Sequence, residues 1–486
     1  MPKHNTNTPN KILYIHEHNA GAGKTFAICS KIKNSNKKYL ISVPTKKLQV
    51  EYSKLIPDAL VINDDNTNVN QYIAYQQSII DARRVVIITH VTLLTHGDKF
   101  GQRELIIDEL PSDLICTKHL KTTASDAVKL EQEIKLSSND NLRDIIKRFE
   151  NGSAEHSDSK IELLSAKLNN KYFAYEPTSA NEYVYFHYLF LANGSKFENY
   201  SIIHLLGANL SGSIAIKYFT DLAGYKLAKG DLVVRGNPMD QKVRIVPLLK
   251  FENGRDFISK PVLEKYFTEM LKVVRDNTKE GVLIATNNDF KPMVMDAHFK
   301  VITPKSHGLN EYKDRTQAAV LYSANPNPYD IPFMQTCAEV LGFDSNVLVD
   351  AYVFENVLDV VYQTVTRTAI RNPEYEGELT FFVPDSRCAD FLRGKFKNAH
   401  IDWSLAIDVA VDKGGAQSGN TNKKSKGCAV TQLLTKHVNA PKAKRLIDKF
   451  SKDNGFAPNA LEPIHIKKLI EAATLNRVPK DYSFKI

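Results

Sequence analysis

Short apolar runs at strand length, each followed by helix-forming sequence, constrain this chain more than any other feature. They are KILYIHEH (11–18), KYLISVP (38–44), DALVIN (58–63), RVVIITH (84–90), ELIIDEL (104–110) and SIIHLLGA (201–208). The runs are near-continuously apolar rather than alternating, so both faces of the sheet they form must be covered. Strands of that kind separated by helices predict a parallel, doubly wound α/β sheet. A second series follows from about residue 241: KVRIVPLL (242–249), GVLIATNN (281–288), KVITP (300–304), AAVLYSA (318–324) and LTFFVP (379–384). The amphipathic segment VLEKYFTEMLKVVRD (262–276) lies between the first two of these. A chain of 486 residues suits two or three domains.

Between Pro111 and Tyr200 the pattern gives way to polar helical sequence, with LEQEIKL and LRDIIKRFE as amphipathic pieces, and then to the aromatic run YVYFHYLF (183–190). This stretch is read as an insertion in the first domain. Its aromatics alternate at strand spacing and are expected to pack in a sheet rather than to stack on bases. Near the other end, DKGGAQSGNTNKKSKG (412–427) has the composition of a flexible linker, and two or three short helices are expected over 428–478.

Composition excludes several classes. No apolar run approaches the roughly 20 residues of a membrane helix, and MPKHNTNTPN at the N-terminus lacks the apolar stretch of a secretory signal, so a cytoplasmic protein is expected, in host cytoplasm if viral. The five cysteines, Cys29, Cys116, Cys337, Cys388 and Cys428, form no metal or redox spacing and are expected to be reduced and buried. HExxH and GxSxG patterns are also missing. Charge is more informative. Residues 421–486 hold fourteen Lys/Arg and five Asp/Glu, so the whole formal net charge of +9 falls there. Such a region suits contact with a polyanion, since neutralising phosphates releases counterions, or else serves as a solvated, solubilising tail.

The chemistry centres on HNAGAGKT (18–25), which follows a strand and opens a helix. Gly21 and Gly23 permit positive φ and close backbone approach. The helix N-terminus behind them faces an anion, and Lys24 and Thr25 fall where a phosphate and a magnesium ion would be held. The loop pattern asks for glycine at its first position, and this chain has His18. A nucleotide hydrolase also needs carboxylates for the metal shell and for the attacking water. ELIIDELP (104–111) supplies Asp108 and Glu109 at the carboxyl end of a strand, where ligands of open α/β sheets bind.

From these residues the chain resembles the superfamily 2 helicases and translocases, DExx-box proteins with two RecA-like lobes, of phage or plasmid type. The resemblance covers most of residues 11–410. HNAGAGKT resembles motif I and IIDELP motif II. VPTKKLQVEYSKL (43–55) is similar to motif Ia and THVTLL (89–94) to the next strand-end motif, which makes Thr45, Lys46, Thr89 and Thr92 candidate nucleic-acid contacts. LLGANLSG (205–212) sits where a Ser-Ala-Thr motif III would be, but Gly207, Ala208 and Asn209 lack its hydroxyls. GVLIATNND (281–289) is like motif IV, SHGLN (306–310) resembles motif V, and VYQTVTRTAIR (361–371) resembles motif VI.

The resemblance implies two tandem RecA-like doubly wound domains, 1–240 with an insertion at about 111–200 and 241–411, then the linker at 412–427 and a basic helical region at 428–486. It implies ATP and Mg2+ as cofactors. The nucleotide would be held by Gly21, Ala22, Gly23, Lys24, Thr25, Gly308 and Asn310, and the metal by Thr25 and Asp108. Glu109 would orient water, with Gln363, Arg367 and Arg371 reaching across the cleft. Their spacing of four residues predicts one face of a helix, and either arginine can be the finger. The partner implied is nucleic acid, DNA favoured over RNA, together with replication or recombination proteins. Two other readings stay open: a viral genome-packaging, terminase-like ATPase, and a nucleotide-dependent nucleic-acid binding switch that does not unwind.

Overall fold

The computed structural model describes residues 11–409 except 66–67, 112, 124–125, 127–129, 131–177, 181–182, 238, 253–254, 305–311 and 328–329. The N-terminal tail, the amphipathic pieces of the insertion, the SHGLN segment with Gly308 and Asn310, the linker and the basic C-terminal region therefore lie outside the described residues.

The first lobe is built on strands β1 (Ile12–Glu17), β2 (Tyr39–Val43), β3 (Leu60–Val61), β4 (Val85–Thr89), β5 (Glu104–Asp108), β6 (Ile115–Thr123), β7 (Thr178–Ala180), β8 (Tyr183–Leu191), β9 (Ile202–Gly207) and β10 (Lys226–Lys229). Seven of them form a parallel sheet in the order β10-β1-β9-β5-β2-β4-β3. The helices are α1 (Lys24–Lys33), α2 (Lys46–Leu55), α3 (Val69–Tyr75), α4 (Gln77–Ala82), α5 (His90–His96) and α6 (Ile214–Lys217). As the continuous apolar runs require, the sheet is buried on both sides. Ile41, Ile87 and Ile106 pack on Ile28 and Ile32 of α1 and Leu48 and Tyr52 of α2. Leu40, Val86 and Leu105 face the other way, toward Ile73, Ile80 and Leu93 of α3, α4 and α5. The run at 58–63 contributes only the two residues of β3 at the sheet edge.

The insertion forms a separate antiparallel sheet, β6-β8-β7. The aromatic run is its β8 strand, in which Phe186 and Tyr188 are buried. Packing, not base stacking, accounts for these two aromatics.

The second lobe adds β11 (Val243–Pro247), β12 (Leu249–Phe251), β13 (Val282–Thr286), β14 (Phe299–Ile302), β15 (Gln317–Leu321), β16 (Leu379–Val383), β17 (Ala399–Ile401) and β18 (Ile407–Val409). Six make a second all-parallel sheet, β14-β13-β15-β16-β11-β17. Its helices are α7 (Lys260–Asp276), α8 (Asp330–Val340), α9 (Val347–Val353), α10 (Asp359–Val365) and α11 (Ser386–Lys395). Leu263, Phe267, Met270 and Val274, at helical spacing on α7, cover one face of the sheet. Helices α10 and α11 cover the other. The fold is thus α/β, with two doubly wound parallel-sheet domains of the RecA-like kind.

Helices α8 and α9 depart from this simple division. Met334, Cys337, Ala338, Leu348 and Ala351 join the first lobe's core, beside Leu189, Ile214 and Tyr218. Chain order assigns them to the second half; their apolar faces are buried on the first. Among the described residues no helix is long and apolar enough to cross a membrane. Cys29, Cys337 and Cys388 are buried thiols and Cys116 is half-buried, none of the four in a disulfide.

One buried polar pair lies under α1. His16 on β1 is 1 % exposed, and its Nε2 is 2.9 Å from His204 Nδ1 on β9. Burial, followed by the charge of His204, lowers the His16 pKa from 6.5 to about 4. The unfolded chain therefore takes up a proton below pH 6.5 that the folded chain refuses until about pH 4. Stability from this group is complete above pH 6.5 and is lost as pH falls through that window. The His16→Gln variant should lose about 2 kcal/mol less than the parent between pH 7 and 4.5, read from urea midpoints. An equal loss in both would show that another group dominates.

Candidate nucleotide-binding cleft

Strand register places the functional ends side by side. Glu17 of β1 pairs with Gly207 of β9, and Leu206 of β9 pairs with Asp108 of β5. The carboxyl ends of three neighbouring strands thus open onto one site, with the glycine loop leaving β1. Gly21 has φ +75 and Gly23 has φ +85, conformations that only glycine adopts without strain. Gly21 is also constrained by contact, because a Cβ there would lie 3.2 Å from Arg371 Cγ. His18 is not among the residues with positive φ, so its position does not require glycine. Its backbone N–H donates to Gly207 O at 3.0 Å, and its carbonyl accepts from Lys24 Nζ at 3.0 Å. Lys24 also donates to Asn19 O at 3.1 Å. The ammonium is held against the loop's own carbonyls, and burial lowers its pKa against the opposing charges of Asp108 and Glu109.

Asp108 is 4 % exposed. Tyr52 OH donates to its Oδ2 at 2.8 Å and Thr25 Oγ1 at 3.5 Å. Burial first, then the neighbouring Glu109, raises its pKa to about 6. A hydroxyl and a carboxylate side by side, the latter destabilised by burial, fit the hard-oxygen preference of magnesium, which takes one or two protein ligands and completes its shell with phosphates and water. Among the described residues there is no cluster of three or more metal-ligating side chains. Glu109 adopts φ +64, a left-handed conformation costing a non-glycine residue about 1 kcal/mol. Its N–H donates to Leu206 O at 2.8 Å, which holds the turn.

The second lobe supplies the facing wall. Gln363, Arg367 and Arg371 line the same cavity of about 700 Å³ as Gly21, Ala22, Gly23, Lys24, Thr25, Asp108 and Glu109. They do not share a helix face: α10 ends at Val365, Arg367 follows in a turn, and Ala369–Arg371 is a single 3₁₀ turn. Hydroxyls in the run Thr364 to Thr368 take backbone carbonyls, Thr364 Oγ1 to Val360 O at 2.8 Å and Thr368 Oγ1 to Val365 O at 2.7 Å. Pro373 follows closely. Both features oppose continuation of a helix. The turn still delivers both arginines to the cleft. Arg367 is 2 % exposed, and burial, then the charge of Arg371, lowers its pKa to about 10 against the opposing pull of Glu109. Arg371 is likewise lowered by burial with Glu109 opposing, and its Nε donates to the Thr366 carbonyl.

Several side chains to which the sequence assigned no contact hold the cleft. Asn237, between the lobes, donates through Nδ2 to Ala20 O at 2.8 Å and Ile370 O at 3.3 Å. Its own carbonyl accepts from Asn19 Nδ2 at 2.8 Å. Tyr362 OH accepts from Ala20 N at 3.3 Å. Asn209 Nδ2 donates to Asp359 Oδ1 at 2.7 Å, and Ser213 Oγ to Glu355 Oε1 at 2.9 Å. The segment whose hydroxyls differ from motif III is therefore bonded across to the second lobe by other means. Tyr52 could have been suspected from its place in VPTKKLQVEYSKL; Asn237 could not, because only the closed fold brings it to the loop.

The candidate nucleic-acid contacts are engaged locally. Thr45 Oγ1 accepts from Leu48 N at 3.3 Å as N-cap of α2, and Thr89 Oγ1 accepts from Thr92 N at 3.3 Å as N-cap of α5. Thr92 is buried. Lys46 Nζ lies 2.6 Å from Asp64 and 2.5 Å from Asp65.

No protein-family model matches the chain, and no curated protein matches it. Solved structures similar to it include one named "XPD_APO", at TM-score 0.46 and 10% identity, covering 82% of this chain and 97% of that one. Xpd4 of S. tokodaii has TM-score 0.42 and 12% identity, over 82% and 96%. Dbp5 of S. cerevisiae bound to RNA and ADP BeF3 has TM-score 0.30 and 9% identity, over 86% and 90%. These are similarities of chain trace; the reading of the cleft rests on its residues.

Replacing Asn237 by alanine removes the donor to two buried carbonyls. Asn237→Ala should destabilise the protein by about 1–3 kcal/mol, measured by urea unfolding. A change under a few tenths of a kcal/mol would mean that water replaces the amide.

Proposed function

We propose that this chain is an ATP-dependent nucleic-acid translocase or helicase of superfamily 2, DNA favoured over RNA as its track. The observation that carries the reading is that Arg367 and Arg371 of the second lobe line one cavity with Asp108, Glu109 and the glycine loop of the first. Phosphoryl transfer spreads charge over the leaving phosphate that one lobe alone cannot neutralise, and a cation from the opposite lobe ties hydrolysis to closure.

In this mechanism the loop amides and Lys24 bind the β- and γ-phosphates of ATP, and Lys24 gives up its contacts to His18 and Asn19 to do so. Thr25 and Asp108 would hold Mg2+, which when bound neutralises phosphate charge. Glu109 orients the attacking water and accepts its proton. Arg371, packed on Gly21, is the nearer finger to the loop, and Arg367 holds the charge behind it. Gln363 lines the wall between the arginines and Asp359. Closure and opening of the cleft, transmitted through Asn209 to Asp359, would move one lobe along the strand. Thr45 and Thr89 cap helices whose N-terminal ends suit backbone phosphates.

The decisive assay is ATP hydrolysis without polymer and with single-stranded DNA, duplex DNA and RNA. Stimulation by one polymer, reduced at least about 10³-fold by Lys24→Ala or Arg371→Ala, is expected. Wild-type activity in both variants would end the proposal. A second outcome concerns Asn209. Asn209→Ala should keep basal hydrolysis within a few-fold while losing most of the polymer stimulation, and a uniform fall in both rates would assign Asn209 to the chemistry instead.

A further inference from the structure

We propose that Tyr52 is a positioning residue of the nucleotide cleft: its hydroxyl holds one oxygen of Asp108, so that the other is left to the divalent cation of a bound nucleotide. This rests on the nucleotide reading above and gives a role to a side chain outside the residues expected to do chemistry.

Tyr52 lies on the apolar face of α2. Leu48, Tyr52 and Ile56 follow one another at a spacing of four residues, and all three are buried. The Tyr52 ring packs in the core that α1 and α2 form on the sheet, with Ile28, Ile32 and Ile106. A phenylalanine would satisfy that packing. Tyrosine adds a hydroxyl, and a hydroxyl taken out of water into such a core is costly unless it finds a partner. Its partner is Asp108 Oδ2, 2.8 Å away at the end of β5.

The helix that carries the hydroxyl is anchored on both sides of it. Gln49, one turn earlier and buried, donates through Nε2 to Ile62 O at 3.1 Å and Ile87 O at 3.4 Å, and its Oε1 accepts from Asn63 Nδ2 at 3.1 Å. One turn later, Ile56 N donates to Tyr52 O at 2.8 Å and closes the helix. Asp108 is held from its own side, since β5 is paired with β2 and β9. Hydroxyl and carboxylate are thus brought together by two elements, each with its own anchors, across 56 residues of chain.

Both hydrogen bonds that reach the Asp108 side chain end on Oδ2, from Tyr52 and, at 3.5 Å, from Thr25. Among the described residues none ends on Oδ1. A carboxylate with two equivalent oxygens can turn about its last bond. A donor anchored on one oxygen removes that freedom and keeps the other in one place, beside Thr25 in the cleft. Outer partners of this kind set the orientation of a ligating carboxylate, and losing one typically costs about 10–100-fold in metal affinity. A hydroxyl that served packing alone would be felt in stability and not in the response to the cation.

The test is binding of the fluorescent, non-hydrolysed analogue mant-AMPPNP to the full chain, measured in EDTA and at saturating Mg2+, with thermal unfolding run beside it. The ratio of the two affinities is the gain that Mg2+ confers. Tyr52→Phe should keep the affinity in EDTA within about twofold of the parent and make the gain smaller by about tenfold or more. Tyr52→Met, which also lacks the hydroxyl, takes its place if that variant does not fold. The parent's gain intact in a folded variant, whatever its unfolding temperature, would overturn the positioning role and leave the nucleotide reading standing. A parent that binds the analogue with no gain from Mg2+ would overturn the assignment of the metal to Thr25 and Asp108, and this proposal with it. A parent that does not bind the analogue at all would overturn the nucleotide reading as well.

Discussion

Burial of opposite charges in one cleft is the interaction on which the site depends. Lys24, Arg367 and Arg371 meet Asp108 and Glu109 along one cavity in which Asp108 and Arg367 are buried and the others half-buried, and each shift with a resolved direction has burial as its first cause: the three cations are lowered and Asp108 is raised. Groups that have lost hydration without full compensation are poised for a ligand able to replace it. A nucleotide carrying phosphates and a divalent cation would compensate both signs at once. The left-handed turn at Glu109 adds local strain at the same place.

The lobes are joined around this cluster in ways that make it responsive to their relative position. Asn237 bonds the glycine loop to Ile370, and Asn209 and Ser213 reach Asp359 and Glu355, the residues just before and within the stretch that ends in the arginines. Helices α8 and α9 bury their apolar residues on the first lobe. The glycine loop and the start of α10 are thus joined to the facing lobe by direct hydrogen bonds.

Much of the architecture was legible because parallel strands buried on both faces leave continuous apolar runs, and because a tight phosphate loop restricts its glycines to positions of positive φ. The lobe order, the loop at Gly21 to Thr25 and the placing of Asp108 and Glu109 at a strand end follow from those two rules. The three-residue pattern of Gln363, Arg367 and Arg371 was legible as a group facing one site, yet not as the turn that delivers them. Threonine hydroxyls compete for carbonyls there, and helical spacing does not register that competition. Thr45 and Thr89 were visible as strand-end residues, while their service as helix caps appears only with the helices in place.

Local sequence determined which segments become strands, where backbone can turn left-handed, and which side chains stand at strand ends, since each depends on a few neighbouring residues. Tertiary structure alone decided that Tyr52 bonds Asp108, that Asn237 holds the loop and that Asn209 meets Asp359. Those partners lie 56 to 217 residues apart. Their contacts exist because two sheets pack and close, and no short-range periodicity encodes such a distance.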